Sequence, residues 1–154
     1  MQTSPTGPFV AMAVFCQRLD RQPDGTVDVV GVIDGVQLSG PEPGETDAPP
    51  VVRLLGLVSL RAGEARGRRT LSLQAHFPDG ALGASLTRHV EFTDRVPGAT
   101  IGFPLELEAR EPGLYWFDVL CDGALLTRIP LVVEHATRDA GDFQRSGNGN
   151  DHQD

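Results

Sequence analysis

The sequence is poor in cysteine and has no long apolar run. The two cysteines, Cys16 and Cys121, are too few for a scaffold held together by several disulfides or for a zinc site with mainly cysteine ligands. No apolar segment reaches the roughly 18 residues that a membrane-spanning helix requires. The first eight residues lack the basic start of a secretory leader, and no small-residue cleavage site follows the apolar run at 9–16. We therefore expect a cytoplasmic protein that makes no contact with a membrane.

Positive charge is also scarce. Thirteen basic residues, all of them arginine, stand against 21 acidic ones, which gives a formal net charge of −8 at pH 7. A field of this sign repels the phosphate backbone, so nucleic acid is not an expected partner. Apolar residues make up 40% and charged residues 22% of the chain, as in ordinary globular proteins. A chain of 154 residues is long enough to bury one core without metals or cross-links.

Apolar segments recur at short spacing and are separated by turn formers such as Pro23-Asp24-Gly25 and Pro78-Asp79-Gly80. This spacing is typical of a β-sandwich or barrel rather than of alternating strands and helices. At 69–77 apolar and polar residues alternate with a period of two, as in a strand with one buried and one hydrated face. Eight strands are predicted, at 9–19, 26–38, 51–62, 69–77, 86–93, 101–109, 114–121 and 124–134.

Three stretches break the strand pattern. Residues 40–50 (GPEPGETDAPP) contain four prolines, which cannot donate to a ladder, so they predict an exposed loop. The run GALGASL at 80–86 carries glycines that disfavour helix, and we expect at most a turn or two of helix there. The residues from 135 onward are mostly polar. They cannot bury enough apolar surface to offset the conformational entropy lost when a chain becomes ordered. The predicted domain boundaries are a flexible N-terminus at 1–7, a β-sandwich at 8–134 and a disordered acidic tail at 135–154.

The strand at 101–109 shows features of a sheet edge. Pro104 cannot donate to a backbone ladder, which predicts an edge strand or a bulge. Glu106 and Glu108 lie on its polar face. Like charges on an edge strand are typical of a surface that resists aggregation, and this interpretation is favoured over an acid–base pair.

The strongest pattern is a hairpin at 114–133. Asp122-Gly123 is typical of a two-residue type I′ turn, in which both residues have positive φ. One face of the strand before the turn is apolar and aromatic. The opposite face is also largely apolar and includes Trp116, the only tryptophan.

Several segments carry a likeness to known proteins: Phe15-Cys16, residues 31–34 (GVID), residues 111–119 (EPGLYWFDV), Asp122-Gly123 and Ile129-Pro130-Leu131. Together they resemble an uncharacterised bacterial family, a domain of unknown function whose members are short predicted β-sandwiches. The resemblance covers 9–133, and its most specific part is the hairpin, whose Pro-Gly-x-Tyr entry also recurs in immunoglobulin-like domains. It implies an all-β, antiparallel, immunoglobulin-like β-sandwich in a bacterial, cytoplasmic protein. It supplies no catalytic residue.

Candidate reactive groups have plain structural interpretations. Cys16 and Cys121 lie among apolar residues, as small buried hydrophobes do, and a disulfide would require the first and seventh strands to be neighbours. His76 and His89 could face each other from adjacent strands, but a metal would need further ligands. No serine has the glycine flanks of a nucleophile elbow. We therefore predict no enzyme, no catalytic residue, no cofactor and no metal site.

The seventh predicted strand, 114–121, is apolar on both faces, so each face must be shielded from water by other residues. Either it occupies a central position under loops, or it exposes an apolar patch to another protein or to a second copy of the chain. The predicted partner-binding residues are Trp116, Leu114, Asp118 and Leu120. An interaction or scaffold domain is the leading hypothesis. The alternative is a small-ligand or carbohydrate-binding module, with Trp116 and Tyr115 exposed among polar groups.

Overall fold

The computed structural model describes residues 6–38 and 49–135. These residues form nine strands and no helix, in two sheets with the orders β2-β1-β4-β7 and β3-β9-β8-β5-β6. The strands are β1 (Phe9–Arg21), β2 (Val27–Ile33), β3 (Gly35–Leu38), β4 (Val51–Arg61), β5 (Gly67–His76), β6 (Leu82–Phe92), β7 (Gly98–Glu108), β8 (Gly113–Cys121) and β9 (Ala124–His135). The predicted all-β sandwich is confirmed. The predictions for 1–5, for most of the 40–50 loop and for the tail from 136 onward lie outside the described residues.

The strand order is that of an immunoglobulin-like sandwich. Strands β1-β4-β7 follow the A-B-E order of such domains, and β9-β8-β5-β6 follow the G-F-C-C′ order. Between the sheets, Phe15 of β1 meets Phe117 of β8 edge to face, with ring centroids 4.7 Å apart. Both side chains are buried. This contact joins the two sheets across the core.

The segment 26–38, predicted as one strand, divides between the two sheets. Strand β2 pairs antiparallel with β1, whereas β3 pairs parallel with β9, the one parallel pair among the described strands. Asp34 lies between β2 and β3, and its carbonyl accepts a hydrogen bond from the amide of Val132 (3.2 Å). Ile33 of β2 and Val36 and Leu38 of β3 pack against the core, so the core-facing positions change from odd to even numbers across Asp34. Val30 and Val32 are apolar as well, and the apolar run therefore hides the division.

Strands β6 and β7 lie at the edges of their sheets. The edge position of β7 confirms the prediction from Pro104. The run at 80–86 is not helical: it leads into β6, which begins at Leu82. A bulge between Gln74 and His76 of β5 shifts the register of the β5–β6 pair. Among the described residues there is no helix long and apolar enough to cross a bilayer.

The hairpin of β8 and β9 has the predicted turn. Asp122 and Gly123 have φ values of 49° and 82°, the two positive values that a type I′ turn requires. The Asp122 carboxylate accepts hydrogen bonds from the amide of Thr70 (2.9 Å) and from Arg69 Nη1 (3.3 Å). The Thr70 amide, together with the Arg69 guanidinium, lowers the pKa of Asp122. The turn is therefore attached to β5 as well as closed by its own backbone.

Cys16 and Cys121 are both buried and unbonded to each other. Cys16 lies on β1 and Cys121 on β8, which are not neighbouring strands, and the disulfide that the sequence left open does not form. Burial raises the pKa of both thiols. Each therefore carries less of the nucleophilic thiolate at a given pH than an exposed cysteine.

A thiol reagent should consequently distinguish the folded from the unfolded protein. At pH 8 we expect neither cysteine to react in the native state, because burial blocks access and disfavours the thiolate. Both should react in concentrated guanidinium chloride, as counted by mass spectrometry. Rapid labelling of Cys16 or Cys121 in the native protein would contradict the burial of that thiol.

Candidate functional site

The predicted partner-binding residues lie on the outer face of the five-stranded sheet, on its central strand β8. Leu114 and Trp116 are 40% and 39% exposed. Asp118 is largely buried, and Leu120 is half-buried beyond a register shift that separates it from Val119. The structure therefore exposes two of the four predicted residues as large apolar side chains, while Asp118 has a different role.

Alternation along β8 places Trp116 outside the core. Its neighbours Tyr115 and Phe117 are buried between the sheets, and successive strand residues point to opposite faces. Cross-strand pairing sets Trp116 opposite His76 of β5 on one side and Pro130 of β9 on the other. The indole thus belongs to a three-strand surface rather than to a loop.

Asp118 connects three strands through its carboxylate. Oδ2 lies 2.9 Å from His76 Nε2 on β5, and Oδ1 accepts a hydrogen bond from Arg128 Nε on β9 at 3.0 Å. A carboxylate with so little solvent access needs partners of this kind. The Asp118 side chain is 13% exposed and that of Arg128 is 59% exposed. Because Arg128 is solvated, the ion pair contributes modestly to stability, but it fixes the positions of its members beside Trp116.

A shallow pocket of about 430 Å³ lies over this network. It is lined by His76, Phe77, Pro78, Gly80, Leu114, Trp116, Asp118 and Arg128. Three of these side chains form the hydrogen-bonded network, and most of the others are apolar. The pocket therefore combines an aromatic ring with hydrogen-bonding groups. The sequence indicated Trp116, Leu114 and Asp118 for this surface; it considered His76 only as a partner of His89 and did not indicate Arg128.

The pairing of His76 with His89 that the sequence allowed does not form, because His76 pairs with Leu82 and His89 pairs with Thr70. Within residues 6–38 and 49–135, no three His, Cys, Asp or Glu side chains are grouped so as to hold a metal ion.

Tyr115 is not a ligand platform, contrary to the exposed position that the carbohydrate hypothesis required. The residue is fully buried, and its hydroxyl donates a hydrogen bond to the carbonyl of Glu111 at 2.6 Å. This bond to a carbonyl a few residues upstream is the tyrosine corner of immunoglobulin-like domains. Burial, aided by the negative charges of Glu111 and Asp79, raises the pKa of Tyr115.

No family model and no curated protein matches the chain. Among solved structures, a glycosyl hydrolase family 2 member from Bacteroides cellulosilyticus is 17% identical with a TM-score of 0.45, over 55% of this chain and 13% of that one. An alkylpurine DNA glycosylase from Pseudomonas fluorescens, solved with DNA containing an abasic-site analogue, is 14% identical with a TM-score of 0.39, over 79% and 30%. An immunoglobulin-like protein from Pseudomonas aeruginosa is 13% identical with a TM-score of 0.38, over 80% and 98%.

The chain therefore spans only a minor part of the first two of these proteins. All three likenesses are remote, and the fold assignment rests on the strand order of the two sheets. The resemblance to an uncharacterised bacterial family stays a prediction.

Proposed function

We propose that this chain is a non-enzymatic interaction or scaffold domain of the bacterial cytoplasm, and that it binds another protein through the outer face of the five-stranded sheet. The observation that carries the proposal is the position of Trp116, which is 39% exposed in the middle of a central strand. Tryptophan is among the residues most enriched at the centres of protein interfaces. An indole held on a strand loses little conformational freedom on binding.

Trp116 belongs to a continuous apolar surface, which we call the Trp116 patch: Leu114, Trp116, Pro130 and Val132. Leu114 pairs with Val132, and Trp116 pairs with Pro130, across the β8–β9 ladder. Val132 is 41% exposed, and Pro130 is also exposed. Contiguous apolar side chains with a polar rim are typical of protein-binding surfaces.

The rim of the patch indicates the chemistry of the partner. The Asp118 carboxylate is buried and already bonded, whereas the Arg128 guanidinium is 59% exposed. The patch therefore presents apolar surface next to a positive group. We infer a partner that places an apolar side chain on Trp116 and a carboxylate near Arg128. The net charge of −8 opposes association of two copies of this chain.

Replacing Trp116 by alanine is the direct test. We expect the variant to lose about 2 kcal/mol of binding free energy or more, which is roughly 30-fold in Kd, as for a central interface tryptophan. Val32→Ala is the matched control, because Val32 is 62% exposed on β2 of the other sheet. Wild type and Val32→Ala should both retain a protein from a lysate of the source cells that Trp116→Ala does not retain.

Two outcomes would contradict the proposal. The first is equal retention of partners by Trp116→Ala and wild type, with native folding of both verified by circular dichroism. The second is a homodimer, measured by light scattering, that Trp116→Ala dissociates. In that case the patch would bind a second copy rather than another protein.

The second candidate function is binding of a small polar ligand such as a carbohydrate. It is favoured by the pocket of about 430 Å³, in which Trp116 lies beside His76, Asp118 and Arg128. An aromatic ring among convergent hydrogen-bonding groups suits such a ligand. Because Trp116 is the only tryptophan, its fluorescence reports directly on this pocket. A saturable change with an added oligosaccharide would favour this function, and an unchanged spectrum would count against it.

A further inference from the structure

A second and larger cavity lies at the side of the sandwich, between edge strands β6 and β7. Its volume is about 830 Å³, within the range of roughly 300–1,000 Å³ that is common for small-molecule sites. Residues from both sheets line it, so we call it the seam cavity. It is distinct from the Trp116 patch, and a ligand in it would bind independently of the function proposed for that patch.

The walls of the seam cavity are largely apolar. Leu73, Ala75 and Phe117 line it and are buried members of the core. Leu86 of β6 and Leu105 of β7 line it from the two edges. A ligand in this cavity would therefore bury apolar surface against the core itself, which is the main favourable contribution to binding of an apolar group.

The polar lining is mostly acidic. Asp79, Glu106, Glu108 and Glu111 all line the cavity, and Arg110 is the one basic residue that does so among the described residues. Glu106, Glu108 and Asp79 are exposed. The seam cavity thus combines an apolar interior with a rim that carries an excess of negative charge.

Two of these carboxylates have exposed arginine partners, and two do not. Arg110 lies 3.1 Å from Glu108, and Arg53, outside the cavity, lies 3.1 Å from Glu106. The ion pairs of the described residues include neither Asp79 nor Glu111. Asp79 and Glu111 both line the cavity, and a Cβ on Gly113 would lie 3.0 Å from Pro78 Cγ, so the segments that carry the two carboxylates meet at one end of it. Negative charge is therefore least compensated at that end.

We propose that the seam cavity binds an organic cation with an apolar body, such as an aliphatic or aromatic amine. The apolar body lies between the two sheets, and the ammonium group lies at the rim near Asp79 and Glu111. Opposite charges attract strongly beside a low-dielectric wall, whereas an anion of the same shape is repelled. The sign of the rim therefore selects the cation over its neutral and anionic analogues.

The edge of β7 favours a small molecule over an added peptide strand. A peptide that extends a sheet needs free backbone donors and acceptors along the edge. Pro104 lines the cavity in the middle of β7 and cannot donate. The free edge of β7 therefore lacks a continuous row of donors at the cavity.

The test compares three probes of one chain length, octylammonium, 1-octanol and octanoate, by calorimetric titration of the full chain. We expect octylammonium to bind with one-to-one stoichiometry and at least about tenfold more tightly than octanol, because only the ammonium is attracted by the rim. Octanoate should show no binding. Equal affinity for octylammonium and octanol, or no binding of octylammonium, would overturn the proposal.

Two kinds of variant locate the site. The double variant Asp79→Asn with Glu111→Gln removes the uncompensated charges and should weaken octylammonium binding by about tenfold while leaving octanol unchanged. Ala84→Trp places a large side chain at an exposed position that lines the cavity, and should abolish binding of both. Ala124→Trp, at an exposed position on β9 away from the lining, is the matched control.

Two results with these variants would overturn the proposal. One is unchanged octylammonium binding in a folded Ala84→Trp protein, which would place the probe elsewhere. The other is binding of a peptide of alternating leucine and lysine, lost in Ala84→Trp, when octylammonium does not bind. The occupant would then be a strand and not a small cation.

Discussion

Phe117→Ala is expected to lower the free energy of unfolding by about 3–5 kcal/mol, the range for a large aromatic side chain deleted from a core. Phe117 is 1% exposed, and its ring meets Phe15 of the opposite sheet at a centroid distance of 4.7 Å. Truncation removes the edge-to-face contact and leaves a void that the two sheets cannot fully close. Denaturation by urea, followed by circular dichroism, measures the change.

Trp116→Ala is the matched control for this prediction. Trp116 is the neighbour of Phe117 on β8 but lies on the outer face, where it is 39% exposed. Its truncation removes a ring of comparable size without opening a space between the sheets. We expect the smaller loss of stability for Trp116→Ala. Equal losses would show that the two faces of β8 are not assigned correctly.

Tyr115→Phe is expected to lower the free energy of unfolding by about 1 kcal/mol at pH 7, because it leaves a partly buried acceptor without its donor. The phenol hydroxyl donates to the carbonyl of Glu111 at 2.6 Å. Phenylalanine keeps the buried ring, so the loss reports on the hydrogen bond rather than on packing. Urea denaturation of the variant and of wild type measures the difference.

The same pair of proteins should differ in pH dependence. Burial raises the pKa of Tyr115 in the folded state, so folding favours the neutral phenol. The stabilisation from this group is complete below the unfolded pKa of about 10 and is lost as pH rises through the folded pKa. Wild type should therefore lose stability above pH 10, and Tyr115→Phe should lack this part of the loss. A difference between the proteins that stays constant from pH 7 to pH 11 would contradict the raised pKa.

The hairpin of β8 and β9 could be predicted because its signals are local. Alternation along the strand determines which side chains face the core. The Asp122-Gly123 pair determines the type of turn, and each signal lies within a few residues of what it determines. Pro104 is another local signal, since a missing donor favours an edge in any sheet. The division of 26–38 into β2 and β3 was not predicted, because Val30 and Val32 are apolar and hide the change of core-facing parity that occurs across Asp34.

The candidate sites depend on pairings that the sequence does not encode locally. Asp118 meets His76 because β5 lies beside β8, although the two strands are far apart in the chain. The bulge between Val119 and Leu120 shifts the pairing of β8 with β9, and this shift places Asp118 opposite Arg128. Likewise, Glu106 was interpreted as protection of an exposed edge. Its place at the rim of a cavity emerges only when β6 and β7 are set side by side.

The parallel pair of β3 and β9 also has a consequence for the order in which the domain assembles. It joins Gly35, near the start of the described chain, to Val132, near its end. Contacts between residues so distant in sequence form slowly, because the long intervening loop must close first. During synthesis the five-stranded sheet cannot be completed until β9 has left the ribosome. Until then β8 is paired with β5 on one side only, and the backbone groups of its other edge remain open to other chains.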